Sequence, residues 1–183
     1  MGWETLRSRT AYENPWIRVR EDAVLRPDGT PGIYGVVEVR SPAVFVVPVT
    51  DDDEVVLIDV ERYTVGRSLE VPAGATDGED LLVAAARELR EETGLAADAL
   101  VDLGPVFSLN GVSDAPGQVV LATGLHPVEG DPVAVAEQAV EGITAVRAVP
   151  LVELPSLLAG GGITDNESLA ALLLALVRLG RVR

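Results

Sequence analysis

The chain is 183 residues long and 48% hydrophobic, with a mean hydropathy of +0.27, which excludes a disordered segment and suits one domain with a sizeable core, with or without a small extension. A formal charge of −15 and a pI near 4.3 exclude nucleic-acid binding through a basic surface and attraction to anionic membranes, but not a phosphorylated small molecule whose charge is shielded by metal ions. There is no cysteine and all 14 basic residues are arginine, so disulfides, thiol catalysis and lysine Schiff bases are ruled out.

Residues 16–25 (WIRVREDAVL) alternate as a strand does, and Pro27-Asp28-Gly29 marks a turn behind them. Residues 33–39 are a second strand, closing a hairpin. Residues 43–49 (AVFVVPV) are continuously apolar, as a strand buried on both faces would be. Asp51-Asp52-Asp53 reads as a solvated turn, residues 54–60 as another strand, and Glu61-Arg62-Tyr63-Thr64 follows it. Within residues 70–95 the second half reads as a helix: Asp77 can cap it, Glu79 and Asp80 put negative charge in its first turn, and Gly94 ends it.

Strands are expected over residues 100–109, 119–125 and 143–149, with a Gly-, Pro-, Ser- and Asp-rich loop at 110–117. Residues 150–158 and 167–179 look helical, the second capped by Asp165 or Asn166 and stopped by Gly180. Its stripe of Leu169, Leu172, Leu173, Leu176 and Val177 needs no explanation beyond core packing. The longest apolar run, residues 169–177, is too short to cross a bilayer, and with no signal peptide the expected compartment is the cytoplasm. Strands flank two or three helices without regular βαβ alternation, so the expected class is α+β, a mixed sheet packed between helices. Residues 1–40 are expected to form a small N-terminal β extension and residues 41–183 the main domain.

Glu88, Glu91 and Glu92 stand three and four residues apart, so their carboxylates share one helix face. Like charges at that spacing repel and call for a countercharge, and carboxylate oxygens are the hard donors that Mg²⁺ or Mn²⁺ prefer. Taken alone, the three glutamates are more simply a solvated acidic face. The longer string changes that reading. Glu79, seven residues, then Arg87-Glu88-Leu89-x-Glu91-Glu92-x-Gly94-Leu95 resembles the signature of the Nudix hydrolases. Further pieces resemble the ADP-ribose pyrophosphatases and related nucleoside diphosphate sugar hydrolases: Glu61-Arg62-Tyr63, Glu70-x-Pro72-Ala73-Gly74, Glu141-x-Ile143 leading to Val149-Pro150-Leu151, and Ile163-x-Asp165.

The resemblance implies an α/β/α sandwich that hydrolyses the pyrophosphate of a nucleoside diphosphate linked to another group, ADP-ribose or a nucleotide sugar, with Mg²⁺ or alternatively Mn²⁺. It implies metal ligands at Glu88, Glu91, Glu92 and the Ala73 carbonyl, and an orienting role for Arg87. Glu79 is either a further ligand or a helix-start residue. The expected base is Glu141, then Glu137, or a glutamate of the box such as Glu91. Substrate contacts are expected at Arg62, Glu70, Ser113 and Asp114, against plainer readings as a salt bridge (Arg62 with Glu61 or Glu70) and a turn (Ser113, Asp114). His126 is read as structural. Similar enzymes are often homodimers exchanging N-terminal strands, with Trp3, Trp16 and Tyr34 as interface groups here.

The sequence departs from the family pattern in places. Four residues separate Gly74 from Glu79 where the pattern has five, so either the loop is one residue short or Ala73 takes the glycine position. Ile33-Tyr34-Gly35 replaces an Arg-x-Glu pair, and Ala115 stands where an acidic residue is common. Two other functions therefore stay open: a nucleotide-binding module of weak or no activity, and a hydrolase of nucleoside triphosphates or dinucleoside polyphosphates.

Overall fold

The structure, a computed structural model, describes residues 2–182. Strands β1 (Glu4–Glu13), β2 (Ile17–Leu25) and β3 (Pro31–Val39) form an antiparallel meander. Asn14 makes the first turn by accepting the N–H groups of Trp16 and Ile17 on its Oδ1, and Asp28 makes the second by accepting from Thr30. Such Asx turns explain the tight connections. The order in the main unit is β4 (Ala43–Pro48), β5 (Glu54–Arg62), β6 (Gly66–Glu70), β7 (Ala73–Ala75), α1 (Leu81–Thr93) and β8 (Leu95–Phe107). After β9 (Ser113–Asp114) come β10 (Pro116–Pro127), α2 (Pro132–Glu141), β11 (Ile143–Pro150), α3 (Leu154–Ala159) and α4 (Asn166–Arg178).

Two compact units result, one from the residues up to Pro42 with Phe107–Pro116, the other from Ala43–Val106 with the chain from Gly117 onward. In the first, β9 pairs parallel to β3 and extends the meander to the order β1-β2-β3-β9. In the second, β7-β4-β10-β8 is a mixed sheet, with β4 parallel to β10 and antiparallel to β7, while β11-β5-β6 is antiparallel.

The apolar run in β4 is explained by burial on both faces. Val44 and Val46 pack with Val120 and Ala122 against Ala84, Ala85 and Leu89 of α1. Val47 and Val49 face the other way, toward Leu57, Val119, Leu154, Ala171 and Leu172 of the larger core. Helices therefore cover both sides of the sheet in an α+β sandwich, and each fully buried valine or leucine contributes about 1.5–3 kcal/mol. Among the described residues no helix is long and apolar enough to cross a membrane.

Several local expectations are corrected. Asp80, not Asp77, caps α1, its carboxylate accepting the Leu82 N–H at 3.0 Å. Asp77 sits at φ +49° in the turn before it, and neither Glu79 nor Asp80 lies in the first helical turn. Residues 150–153 are not helical, because Pro150 still pairs with Glu54 at the end of β11. Ser113 and Asp114, expected in a loop, form a two-residue strand. Helix α2 has no counterpart among the elements read from the sequence, and β1 lies in the expected N-terminal β extension without having been assigned as a strand of its own.

Candidate active site

Positions 84, 85, 88, 89 and 92 of α1 form the stripe turned toward the sheet, the place where a helix is ordinarily apolar throughout. Here two of the five are glutamates: Glu88 is 4% exposed and Glu92 1%. A buried carboxylate is costly unless it finds partners, so their surroundings define the site.

Glu88 accepts Arg87 Nη1 at 2.7 Å, and its carboxylate lies flat against the backbone of Gly74. A Cβ on Gly74 would fall 2.1–2.4 Å from the three carboxylate atoms, so any side chain there forces the Glu88 carboxylate out of this position. The contact is consistent with Gly74 at the glycine position and a loop one residue short. The missing residue is absorbed by a tight turn in which the Glu79 N–H meets the Thr76 carbonyl at 2.8 Å. Asp77 and Gly78 between them both have positive φ, +49° and +83°, as in a type I′ turn, where Asp-Gly is a favoured pair.

Arg87 does far more than pair with Glu91. Its Nε donates to Glu79 at 2.9 Å, Nη1 to Glu88 and to Glu91 at 3.2 Å, and Nη2 to the Ala75 carbonyl at 2.8 Å. Burial alone would lower its pKa, but the hydrogen bonds to Glu79, Glu88 and Glu91 hold it above the ordinary arginine value. Glu79 thus binds Arg87 from the turn before the helix.

Glu92 Oε2 accepts the Ala73 N–H at 2.7 Å, and the carboxyl of Glu141 lies beside it and opposes its ionisation. Burial first, then the Glu141 contact, push Glu92 up to about 9, and burial raises Glu88 against the opposing pull of Arg87. Glu141 is the last residue of α2 and is exposed, and Glu137 lies one turn earlier on the same helix.

Arg62 forks onto Glu70, Nη2 to Oε2 at 2.7 Å, the plainer of its two expected readings. Glu70 raises its pKa most, burial opposes, and Glu92 and Asp165 add to the rise, which places Arg62 beside the carboxylate cluster. Glu70 is itself buried. Ser168, buried on α4, accepts the Val71 N–H at 3.0 Å, and Asp165 caps that helix by accepting from Ser168 N.

The second unit therefore brings together Arg62, Glu70, Ala73, Arg87, Glu88, Glu91, Glu92 and Glu141. Ser113 and Asp114 belong to the first unit, where Ser113 Oγ donates to the carbonyls of Ser108 and Leu109. His126 is exposed at the end of β10, with Nδ1 3.2 Å from the Gly124 carbonyl and 3.7 Å from Asp98. Ser168 and Gln138, whose Nε2 donates to the Glu92 carbonyl at 3.0 Å, carried no signal in the sequence.

Among the described residues no three His, Cys, Asp or Glu side chains converge closely enough to grip one ion. Arg87 draws Glu88 and Glu91 to itself, and Glu92 turns to Ala73 N–H and Glu141. The donor chemistry still suits a hard divalent cation: the groups are all oxygen, and the contact between Glu92 and Glu141 needs a proton where a cation would serve as well. A hard divalent cation fits the chemistry of these residues.

Residues 39–172 match the NUDIX domain, and residues 3–37 match the nucleoside diphosphate sugar hydrolase N-terminal domain. The chain is 39% identical over 140 residues to an ADP-ribose pyrophosphatase of Mycobacterium tuberculosis, covering 75% of this chain and 67% of that protein. It is 30% identical over 129 residues to a methanol dehydrogenase activator of Bacillus methanolicus, covering 69% of each. The crystal structure of an ADP compounds hydrolase matches with a TM-score of 0.81 at 26% identity, covering 100% of this chain and 98% of that one. With the box residues assembled on α1 and the matched domain spanning most of its length, the chain belongs to the Nudix family, as a pyrophosphohydrolase resembling the ADP-ribose pyrophosphatases.

Proposed function

We propose that the protein hydrolyses the pyrophosphate bond of a nucleoside diphosphate joined to a sugar, with ADP-ribose the first candidate and Mg²⁺ the first candidate metal, Mn²⁺ the second. The observation that carries this reading is the buried pair Glu88 and Glu92 with Glu141 against them and Arg87 at their edge. The names of the Mycobacterium tuberculosis relative and of the ADP compounds hydrolase support the substrate class.

Glu88, Glu91, Glu92 and the Ala73 carbonyl would hold the metal. A divalent ion there supplies neutralising charge for the diphosphate and an acidified water. Arg87 keeps the carboxylates of Glu88 and Glu91 aimed, as groups behind ligands commonly do. Glu141 lies beside Glu92 and is open to solvent, which supports it as the group that takes the proton of the attacking water; Glu137 is the second candidate. Arg62 keeps 38% of its side chain exposed beside the cluster and can turn a guanidinium edge to phosphate, with Glu70 holding its other edge. Ser113 is left out of the substrate set, because its hydroxyl serves its own turn.

The test is a panel of ADP-ribose, other nucleotide sugars and NADH, each with Mg²⁺ and with Mn²⁺. Release of two phosphate monoesters from ADP-ribose is expected, and no phosphate-ester product from any substrate would sink the proposal. We also propose a homodimer, because Trp3, Leu6, Tyr12, Trp16 and Ile33 are all exposed on the N-terminal unit. A monomeric mass by light scattering would end that part.

A further inference from the structure

Helix α2 carries Glu141 yet has almost no apolar anchor. Only Ala134 is buried, while Val133, Val135 and Val140 are exposed. What attaches it to α1 is polar. Arg90 forks onto Asp131, Nε to Oδ2 at 2.5 Å and Nη2 to Oδ1 at 3.0 Å. Asp131 is at the same time the N-cap of α2, accepting from Val133 N and Ala134 N, and its side chain is almost fully covered. Gln138, in the second turn, ties the helix to the Glu92 carbonyl, one of the free carbonyls at the end of α1. Arg90 occupies the position between Leu89 and Glu91 that the box leaves open.

We propose that Arg90 is a positioning residue: through Asp131, and together with Gln138, it docks α2 on α1 and so sets the place of Glu141 against Glu92. The inference rests on the reading of Glu141 as the base. The lever is long. Ten residues at 1.5 Å each separate the Asp131 cap from the Glu141 end by about 15 Å, so a tilt of about 10° moves the carboxylate by about 3 Å. Misplacement of a catalytic group by about 1 Å can cost about 100-fold in rate. A bidentate guanidinium fork resists such a tilt where a single contact would let the helix pivot.

Two measurements decide it. In the full chain with Mg²⁺ and ADP-ribose, Arg90→Ala should lower kcat about tenfold or more and change KM less than about threefold. Asp131→Asn should match it, since asparagine still caps the helix but loses the charge and the second acceptor of the fork, and Arg90→Lys should fall between. In a Glu141→Gln background the same Arg90→Ala change should alter kcat less than about twofold, because its effect runs through Glu141. Equal losses in both backgrounds, an Arg90→Ala variant with normal kcat, or a Glu141→Gln variant with normal kcat each overturn the proposal. Hydrogen exchange in EDTA reads the clasp without activity. Arg90→Ala should speed exchange of the α2 amides about tenfold while α1 keeps its protection, and unchanged α2 exchange overturns the proposal. If the wild type hydrolyses nothing, the functional reading fails by itself and the exchange result still decides the clasp.

Discussion

Replacing Glu92 by glutamine should make the protein more stable without metal and much less active with it. Glu92 is almost wholly buried, and its carboxyl is pushed from an ordinary value of 4.5 up to about 9 by burial and by Glu141. Between those two values the folded protein holds a proton that the unfolded chain has released, so stability falls as pH rises, by about 1.4 kcal/mol per pH unit. From pH 5 to pH 7 that amounts to about 3 kcal/mol. Glutamine is neutral throughout, its amide oxygen can still accept the Ala73 N–H, and its NH₂ can donate to Glu141. Urea unfolding in EDTA at pH 5, 6, 7 and 8 should give a sloping wild type and a flatter variant. The two should meet near pH 5 and differ by about 3 kcal/mol at pH 7, roughly 6–12 °C in Tm for a chain of this size. Mg²⁺ should raise the wild type and leave the variant nearly unchanged, while kcat of Glu92→Gln falls about 100-fold or more. Parallel pH slopes, or a variant less stable than wild type at pH 7 in EDTA, would refute the account of Glu92.

Gly74→Ala places a methyl group 2.1–2.4 Å from the Glu88 carboxylate, so that side chain must leave its position. A loss of about 1–3 kcal/mol in stability and an Mg²⁺ half-saturation raised about tenfold are expected, read by denaturation and by rate against Mg²⁺ concentration. Arg87→Lys keeps the charge but cannot reach Glu79, Glu88, Glu91 and the Ala75 carbonyl at once, so kcat should fall about tenfold or more in steady-state assays. Asp80→Ala removes the cap of α1 and should cost about 1 kcal/mol by urea unfolding, with little effect on KM. ADP-ribose should bind only weakly in EDTA and at least about tenfold more tightly with Ca²⁺, by calorimetry; equal affinity in both would show that the carboxylate cluster does not repel the diphosphate.

The sequence spelled out the α1 half of the site because helical spacing turns residue numbers into faces: Glu88, Glu91, Glu92 and Arg87 lie where the period of 3.6 places them. Partners distant in sequence left no such trace. The Ala73 N–H on Glu92, Val71 on Ser168 and Arg90 on Asp131 span 19, 97 and 41 residues. Helix α2 did carry end signals, Asp131-Pro132 at one end and Gly142 at the other, but its valines face solvent, so the apolar periodicity was missing. Strand β1 is exposed along its whole length and gave no alternation to read. Asp77 and Asp80 are both cap-forming residues, and only the positive φ of Asp77 decides between them, because an N-cap needs extended backbone.

The cluster's charge explains why one arginine has so many partners. Glu70, Glu79, Glu88 and Glu91 form ion pairs with just two arginines, Arg62 and Arg87, among the described residues, and with Glu141 added and Glu92 protonated this group carries five carboxylates against two guanidiniums, a net charge of −3. A diphosphate brings two more negative charges into the same space. Arginine alone cannot reverse that balance, because both guanidiniums are already engaged with carboxylates. Divalent cations can, and they would compete with Arg87 for Glu88 and Glu91 and with the proton for Glu92. On the proposed function, metal and substrate would therefore stabilise one another's binding, and the same acidity that disfavours nucleic acid at the surface would tie diphosphate recognition to the metal.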